Sequence, residues 1–127
     1  MKYISTEKAP AAIGPYSQAV LSGNMLFCSG QIPINPVTGE LVNSEIKEAT
    51  EQVILNLKAV IEEAGMTLKN VVKTTVFITD MNNFKSMNEV YEKYFSETKP
   101  ARACVQVSGL PRGVIVEIDA ICVMSDE

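Results

Sequence analysis

Two ionisable residues lie in segments otherwise suited to β-strands, and both could do chemistry. Arg102 follows Pro100-Ala101 and opens the run Arg102 to Val107. Its planar fork can donate two parallel charge-assisted hydrogen bonds, which suits a substrate carboxylate. Glu117 interrupts the apolar run Val114-Ile115-Val116-Glu117-Ile118. On a strand it shares a face with Ile115, Asp119 and Ile121, so it either meets water at an edge or lines a pocket. Partial desolvation raises a carboxyl pKa towards the range useful for general acid–base work. A surface ion pair for Arg102 and a solvent-facing place for Glu117 are the plainer alternatives.

Other polar residues carry weaker signals. Tyr16 follows Gly14-Pro15, and Ser29-Gly30 closes the apolar run that starts at Met25. A glycine at a strand end can bring its backbone N–H close to a ligand. Asn88 stands one helical turn from Phe84 and Tyr91, which aims it towards a sheet rather than solvent. Cys104 alternates with Arg102 and Gln106 on one strand face. No adjacent residue is a Lys or His that would lower its pKa, so a pocket-lining role suits it better than a nucleophile's. All these residue types are also common in turns and helices for structural reasons alone.

The 127-residue chain has no histidine. That removes His-based general bases, Ser-His-Asp and Cys-His arrangements, and most zinc sites. Cys28, Cys104 and Cys122 are far apart and lie in apolar segments. They form neither a disulfide framework nor a metal knuckle, and free thiols fit a reducing compartment. Net charge is −4 and no basic run exceeds two residues, a poor balance for neutralising phosphates. The N-terminus lacks an apolar signal region and no run approaches membrane-spanning length, so a cytosolic protein is expected. With 46% hydrophobic and 20% charged residues, the chain reads as one globular domain over 1–127.

The elements that must position these residues follow from periodicity. Tyr3 to Ser5 reads as a short edge strand. Ser17 to Ser22 and Met25 to Ser29 flank Gly23-Asn24, a two-residue hairpin signal. Pro33, Pro36 and Gly39 make 31–42 a loop. Apolar steps at Ile46, Ala49, Val53, Leu57, Val60 or Ile61, and Ala64 describe a helix face, with Asn43 or Ser44 as its cap and Gly65 as its stop. Val71 to Thr79 is a β-branched strand. Asn82 or Asn83 caps a second helix, whose face includes Phe84, Met87, Tyr91 and Tyr94 or Phe95. Arg102 to Val107 and Val114 to Val123 are strands around the Pro-containing turn 109–113. The order β-β-β-α-β-α-β-β predicts an α+β fold, a mixed sheet with two helices on one face. The opposite face stays half apolar, which calls for other copies of the chain to cover it.

The sequence resembles the RidA family (YjgF/YER057c/UK114), the reactive intermediate deaminases, over nearly its whole length. The carrying segments are IGPYSQAV (13–20), FCSGQIP (27–33), NLKAVIEEAG (56–65), VVKTTVFITDM (71–81) and NEVYEKYF (88–95). The most specific is PARACVQVSGLPRGVIVEIDA (100–120), which holds both Arg102 and Glu117. The resemblance implies a chorismate-mutase-like fold and a homotrimer with sites between subunits. It implies hydrolysis of 2-aminoacrylate and 2-iminobutanoate to 2-oxo acids and ammonia, without a cofactor or a metal. Those substrates arise from pyridoxal-phosphate-dependent dehydratases. Carried over by position, Arg102 would bind the carboxylate with help from the backbone at Cys104. Glu117 would position or activate water, beside Arg102, and Tyr16, Ser29, Gly30 and Asn88 would shape the pocket. An imine is already electrophilic, so orientation, dryness and one carboxylate suffice without His. The competing functions are an RNA-binding translation inhibitor or endoribonuclease, and a holdase-like or ligand-sensing trimer.

Overall fold

The computed structural model describes residues 1–125. Their strands form one six-stranded sheet in the spatial order β1-β2-β3-β6-β4-β5. These are β1 (Lys2–Ile4), β2 (Ala19–Ser22), β3 (Met25–Gln31), β4 (Val71–Ile78), β5 (Ala101–Gln106) and β6 (Val116–Val123). Helix α1 (Ile46–Glu63) follows β3, and helix α2 (Phe84–Phe95) follows β4. The expected α+β order is the observed one, with strand ends displaced by one to two residues.

Local chemistry accounts for most boundaries. β2 and β3 pair antiparallel with Ser22 opposite Met25. Gly23 between them takes φ 61°, the first central position where a tight hairpin turn favours glycine. α1 ends in a Schellman pattern. Gly65 at φ 83° donates to the Glu62 carbonyl at 3.0 Å, and Met66 donates to Ile61 at 3.2 Å. The start of α1 corrects the expected cap. The capping position is Glu45, with no side-chain cap bond. The Asn43 side chain instead ties the β3–α1 loop to the turn before β6, accepting from Ile115 N at 3.0 Å and donating to the Gly113 carbonyl at 3.3 Å. Asn83 does occupy the cap position of α2, but without a side-chain bond; Asp80 caps the short turn before it.

The chain's last strand decides the topology. β4 and β5 run parallel across α2, whereas β6 passes over β4 and inserts antiparallel between β3 and β4. Alternation along β6 then sorts its side chains. Val116, Ile118, Ala120 and Cys122 are buried, and Glu117, Asp119, Ile121 and Val123 are partly open. The buried set faces α1, whose Val53, Ile54, Leu57, Val60 and Ile61 are fully covered. α2 packs beside α1 and lies over β4, where Tyr91 Oη and Thr74 Oγ1 are 2.8 Å apart. Both helices therefore cover one face, as expected. On the other face Phe27 is 43% exposed and Val105 41%, so a row of apolar side chains lies open beside Glu117. None of the described helices is long and apolar enough to cross a membrane.

Candidate active site

β-sheet register places Arg102 and Glu117 on opposite faces of the sheet. Arg102 lies opposite Thr74 of β4, which is buried under the helices, and Glu117 lies opposite Phe77. Directly paired residues share a face, and residues 74 and 77 differ by an odd step. A single chain thus holds two separate clusters, so a pocket with Glu117 beside Arg102 is not formed within one chain.

The first cluster surrounds Arg102 at the free edge of the sheet. β5 is the outermost strand, so one side of its backbone has no neighbouring strand. The Arg102 guanidinium lies over the Tyr91 ring, 4.7 Å from its centroid, and 5.5 Å from that of Phe84. Its Nη1 donates to Asn88 Oδ1 at 2.6 Å. No carboxylate forms an ion pair with Arg102 among the described residues. A cleft of about 440 Å³ opens here, lined in part by Asn88, Tyr91, Glu92, Pro100 and Arg102. Helical spacing builds it: Phe84, Asn88, Tyr91 and Glu92 fall on one stripe of α2. Cys104 sits two residues along β5, half-buried. Burial pushes its thiol pKa up, against a weaker downward pull from Arg102. It is no ready thiolate at neutral pH.

The second cluster contains Glu117, Gly30, Ser29 and Tyr16. β3 bulges between Cys28 and Gln31 where it pairs with β6, which is how sheets commonly re-aim side chains near sites. Ser29 fixes this bulge against the approach to β2. Its N–H donates to the Gln18 carbonyl at 2.9 Å and its hydroxyl to the Ser17 carbonyl at 2.6 Å. Gly30 is required by contact rather than by φ. A Cβ there would lie 2.8 Å from Glu117 Cδ and closer still to the carboxylate oxygen. The Glu117 carboxylate thus lies across the bulge with no hydrogen bond or ion pair among the described residues. Burial first, and Asp119 second, push its pKa above the ordinary carboxylate value. A hollow of about 300 Å³ opens at Gly30, lined in part by Ile13, Tyr16, Gly30, Ile34 and Arg112.

Three positioning residues were not singled out from sequence. Gln18 is 3% exposed and holds the loop that carries Tyr16. Its Oε1 accepts from Thr6 N at 2.7 Å, and its Nε2 donates to the carbonyls of Thr6 at 3.1 Å and Pro10 at 2.8 Å. Tyr91 forms the platform under Arg102, and Glu92 receives the other end of the Asn88 amide at 3.2 Å. The four-residue step from Asn88 to Glu92 was legible as a helical pair. Gln18 gave no signal beyond a polar residue at the edge of an apolar run. No group of three metal-ligating His, Cys, Asp or Glu side chains converges among the described residues.

Comparison with known proteins identifies the lineage of this arrangement. The family model described as Endoribonuclease L-PSP matches residues 6–124. A RutC family protein of Pyrococcus abyssi is 58% identical over 118 residues, covering 93% of each chain. The Escherichia coli protein named 2-iminobutanoate/2-iminopropanoate deaminase is 51% identical over 125 residues, covering 96% of this chain and 97% of its own. Among solved structures, E. coli TdcF with bound serine superposes with a TM-score of 0.93 at 46% identity, covering 98% of this chain and all of that one.

Proposed function

The chain belongs to the Endoribonuclease L-PSP family, which includes the RidA proteins, and from that premise we propose that it hydrolyses 2-imino acids to 2-oxo acids and ammonia. The observation that carries this reading is an arginine fork held at a sheet edge by a neutral amide, with no carboxylate paired to it among the described residues. Such a fork is a ready partner for a small acid. The E. coli relative named as a deaminase and the serine bound to TdcF support a substrate with an α-carboxylate.

The proposed chemistry uses two subunits. Arg102 of one copy grips the carboxylate at the edge of β5, where Cys104 and Asn88 line the cleft. Glu117 of a neighbouring copy, with Tyr16, Ser29 and Gly30, closes the site from the other side. Water adds to the carbon of the protonated imine as Glu117 takes one of the water's protons, which leaves a neutral carbinolamine. Glu117 passes that proton to nitrogen, the C–N bond breaks, and the hydroxyl proton leaves with the ammonia as ammonium while the carbonyl forms. Glu117 ends as it began, and no electron acceptor is involved. A carboxyl whose pKa is raised by burial holds the transferred proton more readily than an exposed one.

The test is ammonia and 2-oxo acid release from freshly generated 2-aminoacrylate and 2-iminobutanoate. Turnover well above the spontaneous rate is expected. Absence of turnover, with cleavage of single-stranded RNA by the same preparation, would transfer the function to the ribonuclease that the family description names. The net charge of −4 disfavours that outcome.

Because neither cluster is complete alone, the reading requires an oligomer, and the resemblance specifies three copies. Phe27 and Val105 on the open face, and the bare edge of β5, supply apolar area and backbone groups for contact. Sedimentation at micromolar concentration is expected to show a trimer. A stable monomer that still turned over substrate would refute the shared site.

A further inference from the structure

The helix beneath Arg102 does more than line a cleft. Asn88 stands between a cation and an anion: its Oδ1 accepts from Arg102 Nη1 at 2.6 Å, and its Nδ2 donates to Glu92 Oε1 at 3.2 Å. An amide flipped end for end would point its NH₂ at the guanidinium, donor against donor. Glu92 opposes the flip from the other end, because it can only accept, so a flipped amide would lose both partners. Direct contact between Glu92 and Arg102 would have a different result, since a carboxylate on the fork would occupy the donors a substrate needs. No such ion pair forms among the described residues.

We propose that Glu92 is a positioning residue that acts through Asn88, fixing the amide so that Arg102 is oriented by a neutral acceptor and keeps its charge for the substrate carboxylate. This rests on the proposed role of Arg102 as the carboxylate grip. Three features support a built device. Asn88 and Glu92 are spaced i, i+4 on α2, so a single helix face sets their separation. The Tyr91 ring lies against the guanidinium, and its hydroxyl pairs with Thr74 Oγ1 at 2.8 Å in the buried layer. Thr74 is also the register partner of Arg102 across β4 and β5. The guanidinium is thus located by the ring while the amide sets its rotation. Two other charges on the same helix are engaged elsewhere: Glu89 pairs with Lys47 at 2.8 Å, and Lys93 lies 3.8 Å from Glu51.

Three variants of the full-length protein test the relay. Glu92→Ala removes the acceptor and frees the amide. It is expected to weaken binding of 2-oxobutanoate and raise KM by about 3- to 10-fold, the scale of one net hydrogen bond, with kcat little changed. Glu92→Gln keeps an acceptor oxygen but can also donate, and is expected to bring KM back to between the Glu92→Ala and wild-type values. Asn88→Asp is nearly isosteric but puts a charge on the fork. It is expected to weaken 2-oxobutanoate binding by about 10-fold or more, since the new carboxylate competes for the same donors. A second readout does not depend on turnover. Nitrogen NMR of Arg102 is expected to resolve its Nη resonances in wild type and Glu92→Gln, and to show faster rotation in Glu92→Ala. Equal KM and equal Arg102 spectra in Glu92→Ala and wild type would overturn the proposal. So would failure of Glu92→Gln to rescue. If wild type itself bound no 2-oxobutanoate while the Nη signals behaved as described, the relay would stand and the carboxylate reading of Arg102 would fall.

Discussion

Arg102→Ala is expected to lower kcat/KM by about 10²-fold or more while the melting temperature barely moves. Two charge-assisted hydrogen bonds to a carboxylate, each contributing about 1.5–3 kcal/mol, set that scale. The folded state has much less at stake. Arg102 is exposed, and its stacking on Tyr91 is worth about 0.5–1 kcal/mol at such a site. Function and stability therefore separate at this residue. Arg102→Lys sharpens the test. An ammonium can answer the charge, but it cannot donate to Asn88 and also present two parallel donors to a carboxylate. It is expected to bind 2-oxobutanoate poorly and turn over substrate slowly. Wild-type kinetics in Arg102→Lys would mean that charge alone matters, and the geometry built by Asn88 and Tyr91 would be incidental. Steady-state kinetics, 2-oxobutanoate titration and thermal melting on the same preparations decide the matter.

The fold was largely legible because its signals are local. A glycine-containing two-residue turn, a Schellman stop at Gly65 and the 3.6-residue apolar stripe of α1 each depend on a few neighbouring residues. The position of β6 was not legible. Nothing in Val116–Val123 says that it passes over β4 to pair with β3; that choice is made by long-range packing of Ile118, Ala120 and Cys122 on α1. The missed cap at Asn43 has the same origin. Its side chain could cap a helix locally, but it reaches residues 113 and 115 across the fold instead.

The site was legible residue by residue, and only the family resemblance pointed to a place between subunits. An arginine at a strand start and a glutamate in an apolar strand both stand out against their surroundings. Their relation depends on parity. Arg102 follows Thr74 to the helix-covered face, and Glu117 follows Phe77 to the open one. Parity across three strands requires the register, which a sequence does not print. The contact between Gly30 and Glu117 was hidden for the same reason, since the bulge that creates it forms only when β3 meets β6.

Glu117→Gln carries the second large effect and tests both the chemistry and the assembly. Gln keeps the shape but cannot take a proton from water, so kcat is expected to fall by about 10²–10⁴-fold, the usual scale of general acid–base catalysis. Affinity for 2-oxobutanoate should persist, because Arg102 is untouched. The pH behaviour follows from the raised pKa of Glu117. The base form is lost as pH falls through that pKa, so the wild-type rate declines on acidification earlier than an ordinary glutamate would dictate, and the Gln variant lacks that limb. Stability moves the other way. A carboxyl with a raised folded-state pKa stabilises the fold below its unfolded pKa and loses that contribution as pH rises through the folded value. At neutral pH the ionised Glu117 is therefore a burden to the fold, and Glu117→Gln is expected to melt no lower than wild type. A lower melting point or a lost trimer would make Glu117 structural, and unchanged kcat would move water activation to another group. Mixing the two inactive proteins completes the test. If each site draws Arg102 and Glu117 from different copies, equal random mixing of Arg102→Ala and Glu117→Gln subunits restores about a quarter of the sites. Sites contained within one chain would recover nothing, since every chain in the mixture lacks one of the two groups.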